Sequence, residues 1–170
     1  LAIDALYSDG EILAAAANPK SPRKHGYYVL RNGKKSVMAF YNPIANVLQR
    51  LEKATAYGIQ PRNAEQAFAL HAIMNPDVKL VSLQGVAGTG KTLLALAGAI
   101  EMKREYMQIF IARPIVPLSN RDVGYLPGDI KSKLNPYMEP LWDNLKYIQS
   151  QFSETDSRYP KIKQMVDSEK

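Results

Sequence analysis

The run Gly85-Val86-Ala87-Gly88-Thr89-Gly90-Lys91-Thr92 has glycine at its first and sixth positions and closes on Lys-Thr. This is the G-x-x-x-x-G-K-[ST] spacing of a P-loop, which belongs to a strand–loop–helix junction. The flanks agree with that demand. Val78-Lys79-Leu80-Val81-Ser82-Leu83-Gln84 is a short, largely apolar run ending at Gly85, and Thr92 to Ile100 is an Ala- and Leu-rich stretch apolar almost all round, as suits a buried helix. Met107-Gln108-Ile109-Phe110-Ile111-Ala112 reads as a second buried strand. Strand, helix and strand predict a βαβ unit, hence an α/β fold built on a parallel sheet.

The chemistry of such a loop lies in its backbone. Glycines at positive φ let successive N–H groups curl around phosphate oxygens at the positive end of a helix dipole. Residues Gly85, Val86, Ala87, Gly88, Thr89 and Gly90 are therefore candidate phosphate ligands, with Lys91 reaching the β- and γ-phosphates and Thr92 offering its hydroxyl to Mg²⁺. A glycine-rich turn that merely caps a helix is the structural alternative. Arg113-Pro114, at the carboxyl end of the second expected strand, lies where open α/β sheets place ligands, so Arg113 is a candidate contact to nucleic acid or phosphate.

The 170 residues suffice for one ordinary domain, or a domain with a small appendage, and 46% of them are hydrophobic. The absence of cysteine excludes disulfides and thiolate metal sites, and His25 and His71 are too isolated to suggest zinc. The opening residues carry acids where a signal peptide needs bases, and no apolar run is long enough to span a bilayer. A cytoplasmic protein without a membrane partner is expected.

Charge is more informative locally than in the net +6. No acid occurs between Glu11 and Glu52, whereas Lys20, Arg23, Lys24, Arg31, Lys34, Lys35 and Arg50 all fall there. Within this stretch Gly26 to Arg31 and Lys34 to Tyr41 flank Asn32-Gly33, a two-residue hairpin signal. Lys34 and Lys35, interleaved with Tyr27, Tyr28, Phe40 and Tyr41, could bind single-stranded RNA by charge and stacking. A solvated hairpin whose aromatics build a small core is the competing reading. Asn18 to Pro22 reads as a loop.

From Pro43 the spacing of Ile44, Val47, Leu48 and Leu51 predicts a connecting helix that Gly58 ends. The boundary is drawn near residue 57, giving a small β-rich basic region over 1–57 and an α/β domain over 58–170. Asn63 and Gln66 open a further helix that stops at Asn75-Pro76. They form a capping-box pair, and Gln66 could alternatively read an adenine edge. Gly124 to Asp129 is a turn signal, and Leu141, Leu145, Ile148 and Phe152 mark the apolar face of a later helix, which Trp142 helps to pack.

Taken together, Gly58-Ile59-x-Pro61-Arg62-Asn63-x-x-Gln66, the P-loop with Leu83 before it, Arg113-Pro114 and Gly124-Tyr125-Leu126-Pro127-Gly128-Asp129 resemble the PhoH-like ATPase family over about residues 58 to 152. The resemblance implies a RecA- or helicase-like P-loop NTPase core, ATP hydrolysis with Mg²⁺, RNA as substrate and ring-like homo-oligomers. It implies that Gln66 reads adenine, with Asn63 beside it, and that Arg113 meets nucleic acid. The segment order also resembles family members in which a PIN nuclease domain precedes a short β-rich connection, which would be residues 1 to 57. The family pattern continues into a strand ending in paired acids, the Walker B element, and no such strand is present. Asp167 is a poor substitute because its surroundings are polar. The expected function is thus an ATP-binding domain that in the intact protein hydrolyses ATP to handle RNA, while this chain alone hydrolyses it weakly. A nucleotide-gated binding module without directional unwinding is the alternative, and a small-molecule kinase a more distant one.

Overall fold

A computed structural model describes residues 2–17, 22–114 and 130–167, the last segment with side chains from Tyr137 onward. The chain forms two compact units, Leu1–Ala54 with Gln60–His71, and Thr55–Ile59 with Ala72–Lys170.

The first unit is built on a four-stranded antiparallel sheet of β1 (Glu11–Leu13), β2 (Tyr27–Asn32), β3 (Lys35–Asn42) and β4 (Val47–Arg50) in the order β1-β4-β3-β2. Helix α1 (Ala2–Ser8) precedes it. Strand alternation sends Ile12, Val37, Ala39 and Leu48 to one face, where they bury with Ile3 and Leu6 of α1. The other face carries Tyr27 opposite Phe40 and meets the first turns of α2 (Ala64–Met74). There Tyr27 stacks on Phe68 at 5.1 Å, and the Phe40 ring lies 4.5 Å from that of His71.

The expected hairpin forms, with its turn one residue further on. Asn32 pairs with Lys35, so Gly33 and Lys34 are the central residues. Positive φ falls on Gly33 alone of these two, at 58°, the pattern of a II′ turn with glycine first. This register sets the two aromatic residues, Tyr27 and Phe40, side by side.

The connecting helix expected from Pro43 does not form. Asn42 Oδ1 accepts from the amides of Ile44 and Ala45 at 3.0 and 3.2 Å, Asn46 adopts φ 55°, and the chain returns as β4. Val47 and Leu48 are buried, yet Ile44 is 96% exposed. A side-chain hydrogen bond to nearby amides competes directly with helix formation here.

In the second unit, α3 (Lys91–Glu101) packs on α4 (Ile130–Gln149), and α4 on α5 (Tyr159–Asp167). The expected apolar face of α4 is confirmed, with Leu141, Leu145, Ile148 and Phe152 all buried, and Ile162 of α5 completes it. Gly98 of α3 lies against Ile73, whose Cγ2 would be 2.5 Å from an added Cβ.

The parallel sheet is a correction. Among the described residues the only sheet is the antiparallel one, and Val78 to Gln84 and Met107 to Ala112 have no strand pairing. Leu80, Met107 and Phe110 are 87%, 99% and 89% exposed. Apolar runs favour strands, but a strand exists only through a ladder partner, and these two segments do not pair with each other. The Gly124-to-Asp129 turn and the Asn18-to-Ser21 part of the expected loop lie outside the described residues. Among the described residues no helix is long and apolar enough to cross a membrane.

The aromatic seam has a pH consequence. Tyr27 Oη and His71 Nδ1 are 2.9 Å apart, and burial holds the imidazole below its ordinary value of 6.5. The unfolded chain therefore binds the proton first as pH falls through about 6.5, so native stability is full above that value and declines below it until the folded imidazole also protonates. The melting temperature should drop between pH 7 and 5.5, and His71→Gln should flatten the fall. Parallel melting curves for the two proteins would assign the dependence elsewhere.

Candidate nucleotide site

The P-loop geometry begins with two left-handed glycines. Gly88 and Gly90 adopt φ of 79° and 84°, and Gly90 is the N-cap of α3. Side chains with a Cβ disfavour this conformation, so the glycine spacing has a direct backbone cause. The turn aligns the loop with the first turn of α3, where amides lack intrahelical partners and the dipole favours anions. Residues 85 to 89 are all exposed, so the amides of this cradle are open to a ligand.

Lys91 folds back over the loop. Its Nζ donates to Gly85 O at 2.9 Å, to Val86 O at 2.7 Å and to Thr89 Oγ1 at 3.3 Å. Thr89 Oγ1 in turn donates to Val86 O at 2.8 Å. The ammonium has three N–H groups, and all three are engaged. It is therefore held beside the cradle, and a phosphate oxygen would take over at least one of these bonds. Thr92, the second residue of α3, presents an exposed side chain, which suits a hydroxyl ligand to Mg²⁺. An added Cβ at Gly85 would come within 3.3 Å of Thr89 Oγ1, so a larger residue there would disturb the same bonds.

Asn63 and Gln66 belong to the first unit and perform capping. Asn63 Oδ1 accepts from Gln66 N at 2.8 Å, and Gln66 Oε1 accepts from Arg62 N at 2.8 Å. The reciprocal bond thus reaches Arg62, one residue before the position that a standard capping box uses.

Arg113 is exposed in a segment without regular structure, so no strand end positions it. At the hairpin, Lys35 Nζ lies 2.6 Å from Asp4 Oδ1, and the pairing lowers the Asp4 carboxyl to about 2. Each of the four hairpin aromatics makes a structural contact. Tyr27 and Phe40 join the α2 seam, Tyr28 Oη accepts from Arg23 N at 3.0 Å, and Tyr41 Oη donates to Asn46 Oδ1 at 2.9 Å. Asp167 ends α5 rather than a strand. Sequence reasoning passed over Tyr7, which is 49% exposed beside Lys34 and Lys35. An aromatic on a short helix before the basic stretch is the only trace it leaves in the sequence.

The family model for "PhoH-like protein" matches residues 58–167. Protein PhoH2 of Bacillus subtilis is 41% identical over 121 residues, which cover 68% of this chain and 27% of that protein. Protein PhoH2 of Mycolicibacterium smegmatis is 33% identical over 151 residues, 87% of this chain and 34% of the relative. A PhoH-like protein of Bacillus subtilis is 32% identical over 120 residues, 69% and 36% respectively. The chain thus spans roughly a third of the length of these relatives. No solved structure matches it. With the P-loop, its left-handed glycines and the whole of α3 inside a match that covers most of the chain, the protein belongs to the PhoH-like family and carries that family's P-loop nucleotide-binding domain.

Proposed function

We propose that this chain binds ATP with Mg²⁺ through residues 85 to 92, and that in the whole protein the domain hydrolyses ATP to drive the handling of single-stranded RNA. The observation that supports this most strongly is the Lys91 ammonium poised over an open cradle at the start of α3. Backbone amides would bind phosphate oxygens, Lys91 would neutralise them, and Thr92 would hold the metal. Mg²⁺ supplies further charge neutralisation when bound. The chain by itself should turn ATP over slowly, since Asp167 is a helix residue and is not placed to position water from a strand end. The test is calorimetric titration of ATP into the chain, together with RNA-stimulated ATP hydrolysis by the whole protein. Silence towards millimolar ATP would refute nucleotide binding, and hydrolysis indifferent to RNA would refute the coupling.

For Gln66 the proposal is a second role, adenine reading, beside its capping bond to Arg62. Gln66→Ala should reduce the preference for ATP over GTP by about tenfold if the amide reads the base. An unchanged preference accompanied by a small stability loss would leave capping as its sole role.

A further inference from the structure

An open cleft of about 780 Å³ at the basic end of the sheet is lined by Asp4, Tyr7, Ser8, Lys34, Lys35 and Ser36. Its volume is in the range of small-ligand sites. Tyr7 is held in place from two sides: its Oη donates to Ser36 O at 2.8 Å, and the Arg50 guanidinium lies 4.7 Å from the ring centroid. Nearly half of the residue remains exposed all the same. A large aromatic held rigidly yet left half uncovered is a stacking platform.

Arg50, over the ring, is paired with Glu52 at 3.0 Å. Lys35 is neutralised by Asp4 at 2.6 Å. Lys34, at the tip of the II′ turn, is exposed and makes no ion pair with any described acid. The cleft therefore offers one uncompensated ammonium beside one aromatic ring. A polyacidic peptide needs a denser positive field than this. A nucleic-acid strand carries one phosphate per base, and that ratio fits. Ser8 Oγ donates to Ala5 O at 3.2 Å, which leaves its lone pairs to accept from a ribose 2′-hydroxyl.

We propose that this cleft is a single-nucleotide subsite for single-stranded RNA, with a base stacked on Tyr7 and its phosphate at Lys34. The proposal rests on the RNA-handling reading above and adds to it a site on the antiparallel sheet, separate from the P-loop.

The experiment is fluorescence anisotropy of the chain with a labelled oligouridine, repeated across salt concentrations. Tyr7→Leu should weaken binding about tenfold, whereas Tyr7→Phe, which keeps the ring, should stay within about threefold of the parent. Lys34→Gln should weaken binding and reduce the slope of log K against log salt by about 0.7. Irradiation of a 4-thiouridine oligomer should cross-link the peptide that contains Tyr7. If the parent binds RNA and Tyr7→Leu binds equally well, the subsite is refuted while the RNA reading stands. If the parent does not bind RNA, the subsite is refuted, and RNA-stimulated hydrolysis by the whole protein decides the RNA reading separately. Equal displacement of the oligomer by polyglutamate would reduce the cleft to a general cationic surface and overturn the proposal, and equal affinity for oligodeoxythymidine would overturn its ribose contact.

Discussion

Lys91→Ala is expected to lower the affinity of the chain for Mg·ATP by about thirty- to a hundredfold, corresponding to roughly 2 to 3 kcal/mol for the loss of charge-assisted bonds to phosphate. The same substitution should barely change the stability of the unliganded protein. The groups it releases, Gly85 O, Val86 O and Thr89 Oγ1, all lie on exposed residues where water replaces the ammonium. Urea titration should therefore place parent and variant within about 0.5 kcal/mol of each other, as for other exposed changes. Thr92→Ala separates the metal from the phosphate contribution. It should shrink the difference between ATP affinities measured with and without Mg²⁺, because the hydroxyl acts through the cation. If Lys91→Ala binds ATP as tightly as the parent, the three bonds made by its ammonium are a structural latch and the cradle is not the nucleotide site.

The parts of this molecule that were legible in the sequence are those fixed by local chemistry. Gly88 and Gly90 had to be glycines because their φ is positive, and Asn63 had to cap α2 because its oxygen reaches the Gln66 amide. Leu141, Leu145 and Ile148 announced the buried face of α4 by helical spacing alone. Legibility failed where the outcome depended on partners. Ile44, Val47, Leu48 and Leu51 satisfy a helical period, but four residues cannot distinguish that from a short strand. The decision fell to the Asn42 side chain and to pairing with β3. The runs before and after α3 have the composition of buried strands, yet composition does not supply a ladder partner. Basic residues near aromatics suggested stacking at Tyr27 and Phe40, whereas the fold spends those rings on α2 and leaves Tyr7 open. That exchange required knowing that Tyr27 lies opposite Phe40, which the turn register determines.

Gly58→Ala is expected to destabilise the second unit by about 2 to 4 kcal/mol, the largest stability effect of any single change considered, from two additive causes. The first is conformational. Ala56 and Ile59 exchange backbone bonds of 3.0 and 2.8 Å around Tyr57 and Gly58, whose φ values are 43° and 81°. A tight turn with both central residues left-handed is the I′ type, and an alanine there costs about 1 kcal/mol or more. The second cause is steric. A Cβ at position 58 would lie 2.9 Å from Gln151 Cβ and 3.0 Å from Phe152 Cζ. Neither atom can withdraw cheaply, because Phe152 is held edge-on by the Tyr57 ring at 5.3 Å and covered by the Arg158 guanidinium at 4.2 Å. The turn also holds the far end of the P-loop helix, since the Tyr57 amide donates to Glu101 Oε2 at 2.7 Å. Urea unfolding followed by Trp142, the sole tryptophan and a residue of α4, reads out this unit directly. Gly58→Asn separates the two causes: asparagine tolerates positive φ, so it should recover about 0.5 to 1 kcal/mol of the loss while the clash persists. Midpoints for Gly58→Ala within experimental error of the parent would mean that the turn is free to move away from α4, and that the bond to Glu101 does not anchor α3.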